Sequence, residues 1–135
     1  MTIHLSNPIT MPPATGYSQL AEVTRGGKLV LIAGQVAHDA AGNLIGDNDV
    51  RAQAEQIFKN LDAAVRAAGG TFKHIVKLNC YCVASVPAEQ IAAFRDVRDR
   101  FVDTAHPPTS TFVYVSRLIR PGWLLEIDAM AVLDA

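Results

Sequence analysis

The chain has no excess of charge of either sign: 12 Lys and Arg stand against 13 Asp and Glu, for a net charge of −1. With a pI near 6.4 it lacks the basic field that holds a phosphate backbone, so no nucleic-acid partner is expected. Only 19% of residues are charged while 50% are hydrophobic, which excludes a disordered, charge-solvated tail and supplies a real core. No apolar run approaches the length of a membrane-spanning helix. The opening residues lack a cationic stretch, and residues 5–15 are too short and proline-broken for a secretory leader, so no membrane partner is expected. There are two cysteines, Cys80 and Cys82, two apart in a strand-like run. That spacing points both to one face, is poor for a mutual disulfide, and leaves no second pair to complete a zinc site. A reducing cytoplasm fits this usage. His4, His38, His74 and His106 show no ligand spacing, and no phosphate loop, dinucleotide fingerprint or basic aromatic patch is present. Neither a metal nor a cofactor is expected.

What is present is a single-domain pattern over residues 1–135. Residues 1–15 read as an irregular arm, and Leu20 to Thr24 as a short strand. The β-branched run from Lys28 to Val36 is too apolar to face water on either side, which predicts an inner strand. A turn-rich loop over 39–49 leads into a helix with Asp47 or Asp49 as N-cap and Gly69-Gly70 as stop. Its apolar stripe runs Val50, Ala54, Ile57, Phe58, Leu61, Ala64, Val65 and Ala68. Ile75 to Val83 alternates as a strand. A second helix starts near Pro87 and buries Ile91, Phe94, Val97 and Phe101, with Arg95, Asp96, Arg98, Asp99 and Arg100 mostly outside the stripe. Two further strands end the chain, giving the order β-β-α-β-α-β-β with room for an extra early strand. The class is α+β. Two amphipathic helices cannot cover both faces of a mixed five- to six-stranded sheet, so they pack on one face. Self-association is the economical cover for the other.

The last strand carries two carboxylates, Glu126 and Asp128, among apolar neighbours. Alternation points both to one face. A buried ionised carboxylate costs several kcal/mol unless paired, so the two acids face partners, a polar cavity, a subunit boundary, or plain solvent.

Several segments are specific in their order: Gly16-Tyr17-Ser18-Gln19, Ala33-Gly34-Gln35, and Gln53, Gln56 and Asn60-Leu61 ahead of Ala67-Ala68-Gly69. They continue with Ile75-Val76-Lys77, Pro108, Ser116-Arg117-Leu118 and Glu126-Ile127-Asp128-Ala129-Met130-Ala131-Val132. Together they resemble the RidA (YjgF) superfamily of reactive imine and enamine deaminases over nearly the whole chain. The resemblance implies a chorismate-mutase-like (bacillus-type) fold, a homotrimer packed through its sheets, and small-molecule clefts between subunits. It implies that Glu126 positions an attacking water, with Tyr17, Gly34 and Gln35 as substrate-binding residues. Tyr17 and Glu126 also have plain structural readings, as an arm anchor and an ion-pair partner. Asp128 reads as a structural partner of backbone or of a neighbouring subunit.

Two departures stand against these matches. Active members carry an arginine two residues after the proline that opens the fifth strand, and often a cysteine two further on. Counting from Pro108, these places hold Ser110 and Phe112. An asparagine usual on the second helix is replaced by Arg95. A guanidinium grips a carboxylate through two parallel charge-assisted bonds, which a serine hydroxyl cannot reproduce. Arg95, Arg117 and Arg120 are the candidate substitutes. Arg117 lies on the strand face opposite Ser110, and Arg95 is preferred. Nothing around Ser110 builds a Ser-His-Asp order or a strained elbow. The leading functional expectation is a hydrolase acting on an enamine, imine or related metabolite, with altered substrate. The alternatives are a non-catalytic trimeric ligand-binding or regulatory protein, and an endoribonuclease, which the acidic pI and missing stacking platforms disfavour.

Overall fold

The alternating and periodic segments become six strands and two helices in the computed structural model, which describes residues 2–134. The strands are β1 (Thr2–Ser6), β2 (Leu20–Thr24), β3 (Lys28–Gln35), β4 (Ile75–Val83), β5 (Thr109–Val115) and β6 (Leu125–Leu133); the helices are α1 (Val50–Ala67) and α2 (Ile91–Phe101). Asp49 caps α1 by accepting from the Ala52 N–H at 3.1 Å, and Gly69 ends it with φ of +98°, where only glycine rests without strain. Pro87 precedes a 3-10 turn at Ala88–Gln90 that leads directly into α2.

The main sheet has the order β3-β6-β4-β5, with β4 and β5 parallel and the other pairs antiparallel. The register sorts its side chains. Leu78 lies beside Ser110 and Ala129, and Cys80 beside Phe112 and Ile127, on the face that α1 and α2 cover. Asn79 lies beside Thr111 and Asp128, and Tyr81 beside Val113 and Glu126, on the face that neither helix covers. The core sits between the helices and the first face. There Phe58 is fully buried and touches the rings of Phe72, Phe94 and Phe101 at 5.4–5.9 Å.

Three expectations change. The opening residues are not wholly an irregular arm, because Thr2–Ser6 pairs with β2 in a separate two-stranded ribbon. The six strands are thus divided four and two instead of forming one continuous sheet. And β3 is an edge strand, with Leu29 62% and Leu31 68% exposed on the uncovered face. Its two-sided apolar character belongs to a surface that this chain alone does not bury.

Candidate functional site

The arm residues after Pro13 are pinned to the start of β5. The Ser18 N–H donates to Pro108 O at 3.1 Å, its hydroxyl donates to Pro107 O, and Ser18 bridges Thr109. This brings Tyr17 beside the helix-covered end of β5 and closes a cavity of about 420 Å³ between the arm, α2 and β5. Thr15, Tyr17 and Ser110 supply hydroxyls to it; Ile91, Phe94 and Phe112 supply apolar walls; Arg95 and Arg98 supply positive charge. Four of the residues expected at the site (Tyr17, Arg95, Ser110 and Phe112) therefore meet. Arg98, read from sequence as an outward residue, meets them too. Its side chain is only 14% exposed. The spacing Ile91, Phe94, Arg98 is i, i+3, i+7, one helix face, and was the available signal.

Glu126 lies elsewhere, on the uncovered face of the sheet. It lines a depression of about 400 Å³ with Arg117, Leu118 and Ile119. A β-carbon added at Gly34 would stand 2.5 Å from Glu126 Oε2, so the carboxylate occupies the space that a side chain at 34 would need. Gly34 is in this way a support for Glu126, and Gln35 follows it with its amide donating to Ala33 O at 3.0 Å. Arg117 is indeed on the face opposite Ser110, yet it shares the depression with Glu126. Its guanidinium is bonded to the carbonyls of Leu118 and Ile119, each at 3.0 Å. Arg120 stacks over Trp123 instead, 5.7 Å from the ring. Asp128 is held by Asn79 at 2.7 Å and Tyr81 at 3.3 Å, a structural network on the same face. The negative charge of Asp128, with some desolvation, raises the Tyr81 phenol above its ordinary range.

Cys80 sits beneath Ser110. Burial pushes its thiol up to about 12, against a smaller opposing pull from the Ser110 hydrogen bond and from Arg98. It is thus a neutral thiol at pH 7 and no nucleophile. The histidines take structural places. His74 caps Thr71, His4 pairs with Glu22 at 3.3 Å, His106 with Asp103 at 3.6 Å, and His38 accepts from Trp123 Nε1 at 3.1 Å. His106 lines a separate depression of about 140 Å³, away from the Tyr17 cavity. Among the described residues no group of three His, Cys, Asp or Glu is placed to hold a metal, and no helix is long and apolar enough to cross a membrane.

Residues 9–133 match the family model described as Endoribonuclease L-PSP. The chain belongs to the RidA (YjgF) superfamily. Among its relatives, protein DfrA of Myxococcus xanthus is 37% identical over 122 residues, covering 90% of this chain and 88% of that one. A 2-iminobutanoate/2-iminopropanoate deaminase of Dermatophagoides farinae is 28% identical over 130 residues, covering 96% and 95%. The crystal structure of YyfB from Yersinia pestis, a conserved Rid-family protein of unknown function, superposes with a TM-score of 0.89 at 38% identity, covering 98% of this chain and all of that one. The Rid neighbours agree with the α+β, chorismate-mutase-like fold.

Proposed function

We propose that this single Rid domain is a hydrolase of small enamines, imines or related metabolites, working as a cytoplasmic homotrimer whose sites lie between subunits. The observation that carries this reading is the division of the site residues. Tyr17, Ser110 and Phe112 line a cavity on the helix-covered side, while Glu126 rests on Gly34 on the uncovered side. The two groups cannot converge within one chain. A second copy seated against the uncovered face would bring its own cavity to Glu126 and bury Leu29, Leu31 and Met130.

In that cleft Glu126 accepts a proton from water as its oxygen attacks the C=N carbon. That proton passes to nitrogen to give a carbinolamine; the carbinolamine hydroxyl then gives up its own proton, which reaches the amine nitrogen as the C–N bond breaks, and the carbonyl compound and ammonia leave. The cleft holds the reacting carbon and the water together. The test follows the loss of 2-aminoacrylate or its imine and the release of ammonia, in wild type and Glu126→Ala. Loss of most activity in the variant is expected; equal rates overturn the reading.

Ser110 and Phe112 favour a second reading, a non-catalytic ligand-binding or regulatory trimer, because active members carry an arginine at the first place and often a cysteine at the second. On this reading small carboxylates raise the melting temperature without being consumed. Failure of every carboxylate tested to do so removes it.

A further inference from the structure

Three arginines of this chain are spent on surface ion pairs. Arg51, Arg66 and Arg100 make ion pairs with Asp96, Asp62 and Glu55 from side chains at least half exposed. Arg98 does not belong with them. At 14% side-chain exposure it is tucked under the arm, and only its Nε is committed, to Asp99 Oδ1 at 2.9 Å. The arm passes directly over its planar group. A β-carbon at Gly16 would come 2.6 Å from Nη2 and 3.1 Å from Nη1, and Gly16 itself has φ of +79°, a conformation that glycine alone adopts without strain. Cζ stands 6.0 Å from the centre of the Phe94 ring. The guanidinium is therefore held on three sides, and among the described residues its Nη nitrogens have no hydrogen-bond partner.

The cavity beside it contains no carboxylate. Its charge comes from Arg95 and Arg98, its hydroxyls from Thr15, Tyr17 and Ser110, and its remaining wall from Ile91, Phe94 and Phe112. A fixed guanidinium with one free edge suits the two oxygens of a carboxylate. The rings of Phe94 and Phe112 give the same cavity an apolar wall, which suits an apolar group on the ligand.

We propose that Arg98, delivered from α2, holds the ligand carboxylate in this cleft in place of the guanidinium that Ser110 does not provide, and that Phe94 and Phe112 select a monocarboxylate with an apolar tail. This rests on the reading of the cleft as the ligand site and names its ligand class.

Isothermal titration of the full chain with 3-phenylpropanoate and with 3-phenylpropanamide, its uncharged counterpart, tests this. The acid is expected to bind at least about tenfold more tightly than the amide, and Arg98→Met to weaken the acid by about tenfold or more. Arg98→Lys keeps a positive charge on the helix but not the fork, and is expected to bind the acid severalfold more weakly than wild type. Arg100→Met, on the same helix but paired with Glu55, serves as the control and keeps wild-type affinity. Equal binding of acid and amide, no binding of the acid, or full affinity in both Arg98 variants overturns the proposal. The titration needs no turnover. Acid binding through Arg98 in a protein that leaves the 2-aminoacrylate imine unhydrolysed would overturn the hydrolase reading alone, and unchanged acid binding after loss of Arg98 would overturn this one alone.

Discussion

Gly34 has no side chain because Glu126 uses the space. The close approach is to the end of a flexible side chain, so a methyl group there displaces the carboxylate more readily than the backbone. Gly34→Ala is expected to lower turnover by about 100-fold, the scale of a misplacement near 1 Å, with a melting temperature close to wild type. Paired kinetics and melting curves check this; a fall in stability with unchanged activity would refute it. The cysteines give a second prediction. Burial raises Cys80 from its ordinary value of 9.0 to about 12 and Cys82 from 9.0 to about 11. Above pH 9 the unfolded chain sheds these protons while the folded chain keeps them. The stabilisation is therefore complete below pH 9 and is lost as pH rises toward 11–12. Urea midpoints should fall between about pH 8 and about pH 10.5, and fall less in a Cys80→Ala/Cys82→Ala protein. The shared buried face of Cys80 and Cys82 was readable from sequence because alternation within one strand sets it. The reading failed at Arg98, because the covering residue, Gly16, is far away in the chain and only the fold brings it over α2.

At the scale of elements, the helices were readable because their signals are local: the Asp49 cap, the apolar stripe of α1 and the Gly69 stop all sit within the segment they define. Gln53 shows the limit. It is a polar residue on the helix face, yet it is fully buried, donating to Gly46 O at 3.0 Å and Gly122 O at 2.9 Å and accepting from the Leu124 N–H at 3.0 Å. It ties the loop before α1 to the turn before β6, the strand that carries Glu126. Gln53→Leu leaves these backbone groups unpaired, at roughly 1–3 kcal/mol for each that water does not reach. Chemical denaturation should show a loss of that order. Phe58→Ala, which empties the centre of the ring cluster, should cost about 3–5 kcal/mol. A Gln53→Leu protein as stable as wild type would mean that the two loops are held by other means.

At the scale of the whole molecule, the chain is two-sided. One sheet face is filled by helices; the other presents Leu29, Leu31, Val113 and Met130 around the Asp128 network. The apolar run of β3 predicts an inner strand, and within one chain it is an edge. Apolar residues on both faces do not distinguish a core from a surface awaiting a partner, since both place the same demand on a side chain. If the proposed trimer forms through this face, Leu31→Asp is expected to leave monomers in sedimentation and to abolish turnover together with assembly. A monomeric wild type that still turns over substrate would remove the intersubunit cleft.

Subunit mixing tests that cleft most directly. Ser110→Trp fills the cavity of its own chain, and Glu126→Gln removes the carboxylate from the opposite face; each homotrimer should be inactive on the 2-aminoacrylate imine. Refolded together in equal amounts, they should recover about one quarter of wild-type activity, since about one site in four then pairs an intact cavity with an intact Glu126 from a neighbouring subunit. A mixture as inactive as its parents would contradict the account.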